Sequence, residues 1–398
     1  MGNGGNVARK KRGEPPRTRL QAVREQLGHT QAHVVRYFLT RGPQIGVTVA
    51  SASALPIMIS RWENGHVEVA ELGYQRLFRE LYGRSNEELG FPRETFNQSA
   101  EELRDRLFVA KNIDAGMLDL FQRQVNDLRS SDHRFGALVV LDQLNSLVRQ
   151  IEDVKVFSVS THLRQRLATI LTDARTLAGW TALDRGSQMQ AWQYHEDAKV
   201  SAREADSPSL LAHAAAQQAV ILLDIGENDA AVELLEYARH VAEHRAPSLL
   251  RSWLAAAHGE GLAAVGHRDA SLRAFDDAKS LLPTNPADPE LAFLLLNDGQ
   301  LVRWRGNALL RLGDADAITQ LEAAVRDFVN PQRSAVRGLT NTYVDLAFAY
   351  AAAGDSKGAV EFAQNARQLA KRIGSDRQRQ RLAKLELPTP RGPGTARG

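Results

Sequence analysis

Ile59-Ser60-Arg61-Trp62-Glu63-Asn64-Gly65 is the stretch that decides the architecture of this 398-residue chain. Ile59 and Trp62 stand three apart on one helical face, where both can enter a core. Ser60 and Arg61 lie off that face and point outward. Gly65 supplies the left-handed conformation that ends such a helix.

The flanks give that helix neighbours. Upstream, Thr18-Arg19-Leu20-Gln21 has capping-box form, and Leu20, Val23 and Leu27 follow at core spacing until Gly28. Thr30-Gln31 opens a second helix carrying Val34, Val35 and Phe38. Downstream, Tyr74, Leu77, Phe78 and Leu81 mark another helix, and Ser85-Asn86-Glu87-Glu88 is a second capping box ahead of Leu89 and Phe91. Residues 17–92 therefore read as a five-helix domain.

Taken together, Thr30-Gln31, the Ile59 to Gly65 string, and Leu81-Tyr82-Gly83 through Glu88-Leu89-Gly90-Phe91 resemble the Cro-repressor-like (Xre-type) helix-turn-helix regulators. The whole chain is similar to the actinobacterial group that joins such a head to tetratricopeptide-like (TPR) helices. The resemblance implies an all-α protein, with a lambda-repressor-like helix-turn-helix domain followed by a TPR-like α-solenoid. It also implies double-stranded DNA as a partner, with the third helix in the major groove and the second crossing the backbone. On that mapping Thr30 and Gln31 open the second helix, Gln31 bonds one phosphate and Asn64 holds another. Pro56, Ile57, Ser60 and Arg61 face the groove, Arg61 toward guanine and Ile57 toward a thymine methyl. The competing reading of Arg61 is a solvated or phosphate-bound arginine. Ile59, Trp62 and Glu63 read as structural.

Two features depart from the family pattern. Val35 to Ile59 is about fourteen residues longer than a compact helix-turn-helix allows, and it contains Gly42-Pro43, Gly46 and the run Val47 to Ala54, so a loop or a lengthened second helix must sit there. Relatives in the actinobacterial group carry such an extension too. Pro56 and Ile57 occupy positions where those relatives commonly present polar side chains; Pro56 suits a first helical turn, with Ser53 as its expected cap.

Charge is concentrated at the N-terminus. Residues 1–90 hold 13 Lys and Arg against 8 Asp and Glu, whereas the remainder holds 37 against 39. Arg9-Lys10-Lys11-Arg12 and Pro15-Pro16 read either as a basic arm lying along phosphates, within a disordered segment 1–16, or as a tail basic by chance. Phosphate contacts would make binding fall steeply with salt. The chain has no cysteine, which excludes disulfides, thiol catalysis and Cys-ligated zinc. No apolar run reaches the roughly 18 residues of a membrane helix, and no signal-peptide pattern opens the chain. A cytoplasmic protein with no membrane association is expected.

Beyond residue 92 the pattern is helical: a connector over 93–160, a repeat domain over 161–385 and a disordered tail over 386–398. Gly186, Gly226, Gly266 and Gly354 each stand five residues before a small residue (Ala191, Ala231, Ser271, Ala359) and twelve before an alanine (Ala198, Ala238, Ala278, Ala366). Gly313 begins the same phrase one residue out of step, with Ala317 and Ala324. Successive glycines are 40, 40, 47 and 41 residues apart, longer than the ~34 of a TPR unit. Each glycine should end the first helix of a hairpin, an acidic or polar residue should cap the second, and the small residues should let the two helices approach closely. Five such hairpins predict a curved solenoid with a concave face.

TPR-like domains on heads of this type resemble pheromone-receptor regulators, which implies a peptide or protein effector. Asn297, Arg303, Arg305, Asn341 and Tyr343 are the polar positions on late first helices that could grip a peptide; each also reads as a surface or hairpin contact. Enzyme chemistry finds no support. His240 and His244 lie four apart beside Glu236 and Glu243 but lack a third metal ligand. Gly259-Glu260-Gly261 is too short and too helical for a phosphate loop, and there is no nucleophile elbow. No metal or cofactor is expected. The sequence thus predicts a DNA-binding transcriptional regulator, most economically a homodimer, whose repeat domain senses a ligand or mediates pairing through a population shift. A protein-interaction scaffold with a degenerate head and a DNA binder without sequence preference are the alternatives.

Overall fold

The computed structural model describes residues 15–92, 96–136, 140–286, 291–294, 296–328 and 336–387. The basic run Arg9 to Arg12 and most of the tail lie outside them. The chain divides into two compact units, residues 1–105 and 106–398.

In the first unit Thr18 and Thr30 take extended backbone and accept hydrogen bonds from the Gln21 and His33 amides, starting α1 (Arg19–Gln26) and α2 (Gln31–Gln44). There follow α3 (Leu55–Glu63), α4 (Leu72–Tyr82) and α5 (Asn86–Leu89), the last closed by a complete Ser85/Glu88 capping box. Phe38, Leu55, Ile59, Leu77 and Phe78 are fully buried where these helices meet, each such side chain contributing about 1.5–3 kcal/mol. Trp62 lies 4.9 Å from Tyr74 and edge-on to Phe78 at 6.0 Å.

Of the two arrangements open for Gly42 and Pro43, a loop or a lengthened second helix, the structure has the longer helix: both lie in the last turn of α2. Pro43 has no N–H for the Leu39 carbonyl, and the helix ends one residue after it. A Cβ on Gly42 would stand 2.1 Å from Val49 Cγ2, and one on Gly73 2.7 Å from Val47 Cγ1, so both glycines are small because the segment after α2 lies directly on them. The Tyr74 hydroxyl accepts the Ala50 amide at 2.8 Å. The extra residues are thus shared between a longer second helix and a docked strap. Ser53 does not cap α3. The Ala54 amide donates to Ser51 Oγ at 3.3 Å, and Ser53 is turned to Ser51.

Glu63, 1% exposed, joins three helices. Its carboxylate accepts Arg24 Nε at 2.6 Å and Gln31 Nε2 at 2.7 Å, and its carbonyl accepts the Thr18 hydroxyl at 2.8 Å.

In the second unit α7 (Ala115–Phe135) and α8 (Val140–Phe157) share a core with the first hairpin, through Phe121, Val125, Leu144, Ile151, Leu167 and Leu171. Helix α6 (Phe96–Lys111) spans the division between the units. Five hairpins follow in series: α9 (Thr161–Asp184) with α10 (Gln188–Glu204), α11 (Pro208–Ile225) with α12 (Asn228–Ala242), α13 (Ser248–Ala264) with α14 (Arg268–Leu281), α15 (Asp298–Arg311) with α16 (Asp316–Phe328), and α17 (Val336–Ala352) with α18 (Ser356–Ile373); α19 (Asp376–Ala383) ends the series. The five phrase glycines all take positive φ at the turns. Every phrase alanine is at most 2% exposed. Ser271, the phrase's one departure from alanine, donates its hydroxyl to the Gly259 carbonyl at 2.7 Å and so enters the helix contact without an unpaired polar atom. Capping is less regular than expected. Asp355 and Asp314 accept amides at the starts of α18 and α16, whereas Ser187, Glu227 and His267 make no side-chain cap bond.

Replacing Glu63 by Ala strands the Arg24 guanidinium, a loss of about 3–5 kcal/mol for a broken buried pair. Amide exchange should accelerate through α1–α3 and stay unchanged in residues 161–385; equal protection in both proteins would contradict the role given to Glu63.

Candidate functional site

Each unit carries one candidate surface. In the N-terminal unit α3 turns Ile59 and Trp62 inward, and this leaves Pro56, Ile57 and Arg61 exposed, with Ser60 and Asn64 half-buried beside them. The Arg61 side chain has no hydrogen bond or ion pair among the described residues. Arg36 on α2, which the sequence reading passed over, is likewise exposed and unpaired. Asn64 donates its amide to the Ser60 carbonyl at 2.7 Å. Thr30 caps α2, and Gln31 spends its amide nitrogen on Glu63. Thus Pro56, Ile57, Ser60 and Arg61 share one outward face, whereas Thr30, Gln31 and Asn64 already hold local hydrogen bonds.

The second unit closes on itself. Helix α7 packs against α17 and α18, and α19 packs against α9, so the last hairpin meets the first helices and the expected open concave face becomes the lumen of a ring. Gly136, φ +79°, comes so near the Ile373 backbone that a Cβ would stand 1.8 Å from its carbonyl oxygen. Arg337 of α17 is the centre of the closure. It donates to Asp132 Oδ1 of α7 at 2.7 Å and bonds Asp184 of α9, which also accepts the Ser375 hydroxyl at 2.6 Å. Burial works against the charge of Arg337, but Asp184 and Asp132 outweigh it and raise its pKa. Burial pushes Asp132 up, with Asp184 adding repulsion. Two carboxylates therefore share one guanidinium.

Further pairs line the lumen. Arg377 of α19 bonds Asp224 of α11 through both carboxylate oxygens, one at 2.8 Å. Burial opposes the Asp224 charge, yet Arg377 outweighs it and holds that carboxyl below its usual range. Arg129 pairs with Asp173, and Arg381 donates to Asp345 Oδ1 at 2.8 Å. Between these walls lies a cavity of about 540 Å³, within the range of sites for drug-sized molecules. His213, Trp253, Phe293 and Trp304 form its aromatic side: His213 stands 5.2 Å from Trp253 and 4.5 Å from Phe293, and the two tryptophans are 5.5 Å apart.

Of the five polar positions expected to grip a peptide, Arg303 and Asn341 line this cavity. The other three do not. Asn297 caps α15, Arg305 is paired with Asp276 at 2.8 Å, and Tyr343 packs on Phe362. Overlooked were Arg337, Asp132, Asp224, Glu260 and Asp345. Their signal was present: Asp224, Glu260 and Asp345 are lone charges inside apolar helical runs, and a charge there must find a partner. Among the described residues no group of three metal-ligating side chains could hold a metal, and no helix is long and apolar enough to cross a membrane.

No protein-family model matches the chain, and no curated protein matches it. Solved structures do. A kinesin light chain from Podosopora anserina with nearly identical TPR-like repeats is 16% identical, covering 50% of this chain and 95% of its own, with a TM-score of 0.33. BtubC from P. vanneervenii is 15% identical, covering 69% of this chain and 96% of its own, TM-score 0.36. A Rap protein complexed with competence and sporulation factor is 13% identical, covering 89% of this chain and 99% of its own, TM-score 0.44. These are likenesses of fold, and at this level they identify no family.

Removing Arg337 as Arg337→Met would leave Asp132 and Asp184 buried without their cation, and should cost about 3–5 kcal/mol. Cleavage by protease between α17 and α19 should quicken; unchanged resistance would mean the closure does not depend on this residue. A second expectation concerns acid. Burial lowers His195 to about 3, His213 to about 3 and His133 to about 4. The unfolded chain takes up these protons below about pH 6.5 and the folded chain does not. Stability should therefore be full above pH 6.5 and fall as pH drops toward 3. Both His195 ring nitrogens lack a hydrogen-bond partner among the described residues, so His195→Leu should flatten the fall of Tm between pH 6.5 and 4; an identical slope would contradict this.

Proposed function

We propose that the chain is a sequence-specific DNA-binding regulator, with residues 17–92 as a helix-turn-helix head and the ring as its ligand-sensing part. One observation carries this reading: a short helix buries Ile59 and Trp62 and leaves Ile57, Ser60 and the unpaired Arg61 outward on a single face. That face has the chemistry for direct readout, with a guanidinium for a guanine edge and an apolar group for a thymine methyl. Arg36 on the preceding helix adds a second unengaged cation for the phosphate backbone. The Glu63 bonds to Arg24 and Gln31 hold these helices in fixed register, which base readout needs. A homodimer would pair two half-sites, since one such head meets few bases. Occupancy of the ring would then shift the protein between states of different DNA affinity.

A protein-interaction scaffold is the second reading. It is favoured by the Pro56-Ile57 pair, because Ile57 is 63% exposed and an apolar group so placed also suits a protein surface.

Selection of fragmented genomic DNA by the full chain separates the two. Wild type should enrich a few inverted-repeat sites, with affinity falling as salt rises. Arg61→Ala, at an exposed position, should stay folded and lose about tenfold to a hundredfold on those sites. Absence of enrichment over bulk DNA, or enrichment unaffected by the substitution, would overturn the regulator.

A further inference from the structure

Four of the lumen's arginines are satisfied by carboxylates at hydrogen-bonding distance: Arg129, Arg337, Arg377 and Arg381. Arg303 and Arg311, both on α15, are not. The Arg303 guanidinium is largely buried, and burial presses its pKa down. It reaches Asp345 Oδ2 only at 3.9 Å and the Gln300 side-chain oxygen at 3.4 Å, beyond normal hydrogen-bond length. Asp345 is already held from its other oxygen by Arg381. Arg311 bonds only Asn307, at 3.2 Å, among the described residues. Glu260 has no hydrogen-bond partner among them; burial raises its pKa, and Arg303 and Arg311 are the charges it feels most.

A guanidinium offers five N–H donors and keeps its proton. Arg303 therefore presents unused, charged donors to the cavity. An anion cures that deficit through charge-assisted bonds, and a planar carboxylate fits the guanidinium fork. The aromatic wall begins on the same helix, with Trp304 next in sequence to Arg303 and Trp253 edge-on to it.

We infer that the ring binds a small carboxylate with an aromatic body, its anionic group held by Arg303 and Arg311 and its ring system against Trp253, Trp304 and Phe293. This deepens the reading of the ring as the sensing part and rests on it. A free aromatic acid and the C-terminal residue of a short peptide share this chemistry. The cavity volume suits either.

Isothermal titration of the full chain tests the inference with three probes: indole-3-acetate, the tripeptide Gly-Gly-Trp with a free carboxylate, and neutral indole-3-acetamide. At least one carboxylate should bind saturably, and the amide should bind roughly tenfold to a hundredfold more weakly. Indole-3-acetate preferred over the tripeptide points to a free acid, and the reverse to a peptide terminus. Arg303→Met should lose binding by a similar factor. If that variant fails to fold, Arg311→Gln at the exposed rim decides. Amide binding as tight as the acid, no binding of either carboxylate, or full affinity in the Arg311 variant would overturn the inference. Carboxylate binding without effect on selected DNA would instead overturn the coupling of the ring to DNA affinity and leave carboxylate binding standing.

Discussion

Arg337 is the residue on which the second unit's form turns. Stacked hairpins bury apolar surface with their neighbours, but that attraction is non-directional and propagates only from one repeat to the next. Nothing in it obliges the fifth hairpin to meet the first. The guanidinium supplies that obligation, because its rigid fork can address a carboxylate on α7 and another on α9 at once, which the single ammonium of a lysine would do with less geometric definition. Asp184 then carries the constraint further by accepting Ser375, the residue that starts α19. Arg377 of α19 in turn takes Asp224 of α11. A chain of buried, directional bonds thus fixes where the two ends of the series join.

That closure also explains what fills the lumen. In an open solenoid the first helices of each hairpin would face water, and polar side chains there would be hydrated independently. Inside a ring they face one another, so each charge is matched within the wall, by water in the cavity or by an occupant. Most are matched within the wall. The exceptions cluster on α15 and the adjoining part of α13, where Arg303 and Arg311 are the charges nearest Glu260.

The repeat was legible in the sequence because its signal is local. A glycine, a small residue five on and an alanine twelve on describe one turn and one helix face, and Ala198, Ala238, Ala278 and Ala366 occupy that face with no exposed surface. Closure was not legible. Arg337 lies 205 residues from Asp132 and 153 from Asp184, and periodicity within a helix says nothing about which distant helix it will meet. The same limit explains the mixed fate of the candidate grip residues. Arg303 and Arg305 differ by two positions, which on a helix is more than half a turn, so one enters the lumen and the other pairs outside with Asp276. The cap expected at Ser53 failed for a smaller reason: the strap approaches α3 so that Ser51, two residues earlier, meets the amide.

The extension between α2 and α3 would be expected to loosen the very helix whose surface matters most. It does not, because both its ends are pinned. Val47 and Val49 sit where Gly73 and Gly42 omit a side chain, and the Ala50 amide is taken by Tyr74, a ring that itself packs on Trp62 of α3. The added residues are thus anchored to α4 and to the end of α2. At the opposite end of α3, Glu63 ties the helix to α1 and α2. Held at both ends, α3 can keep Ile57, Ser60 and Arg61 in a fixed outward arrangement even though none of them gains anything from the core. Side chains that face solvent on a rigid helix bear no packing role, so their identities are free to be set by whatever the surface meets.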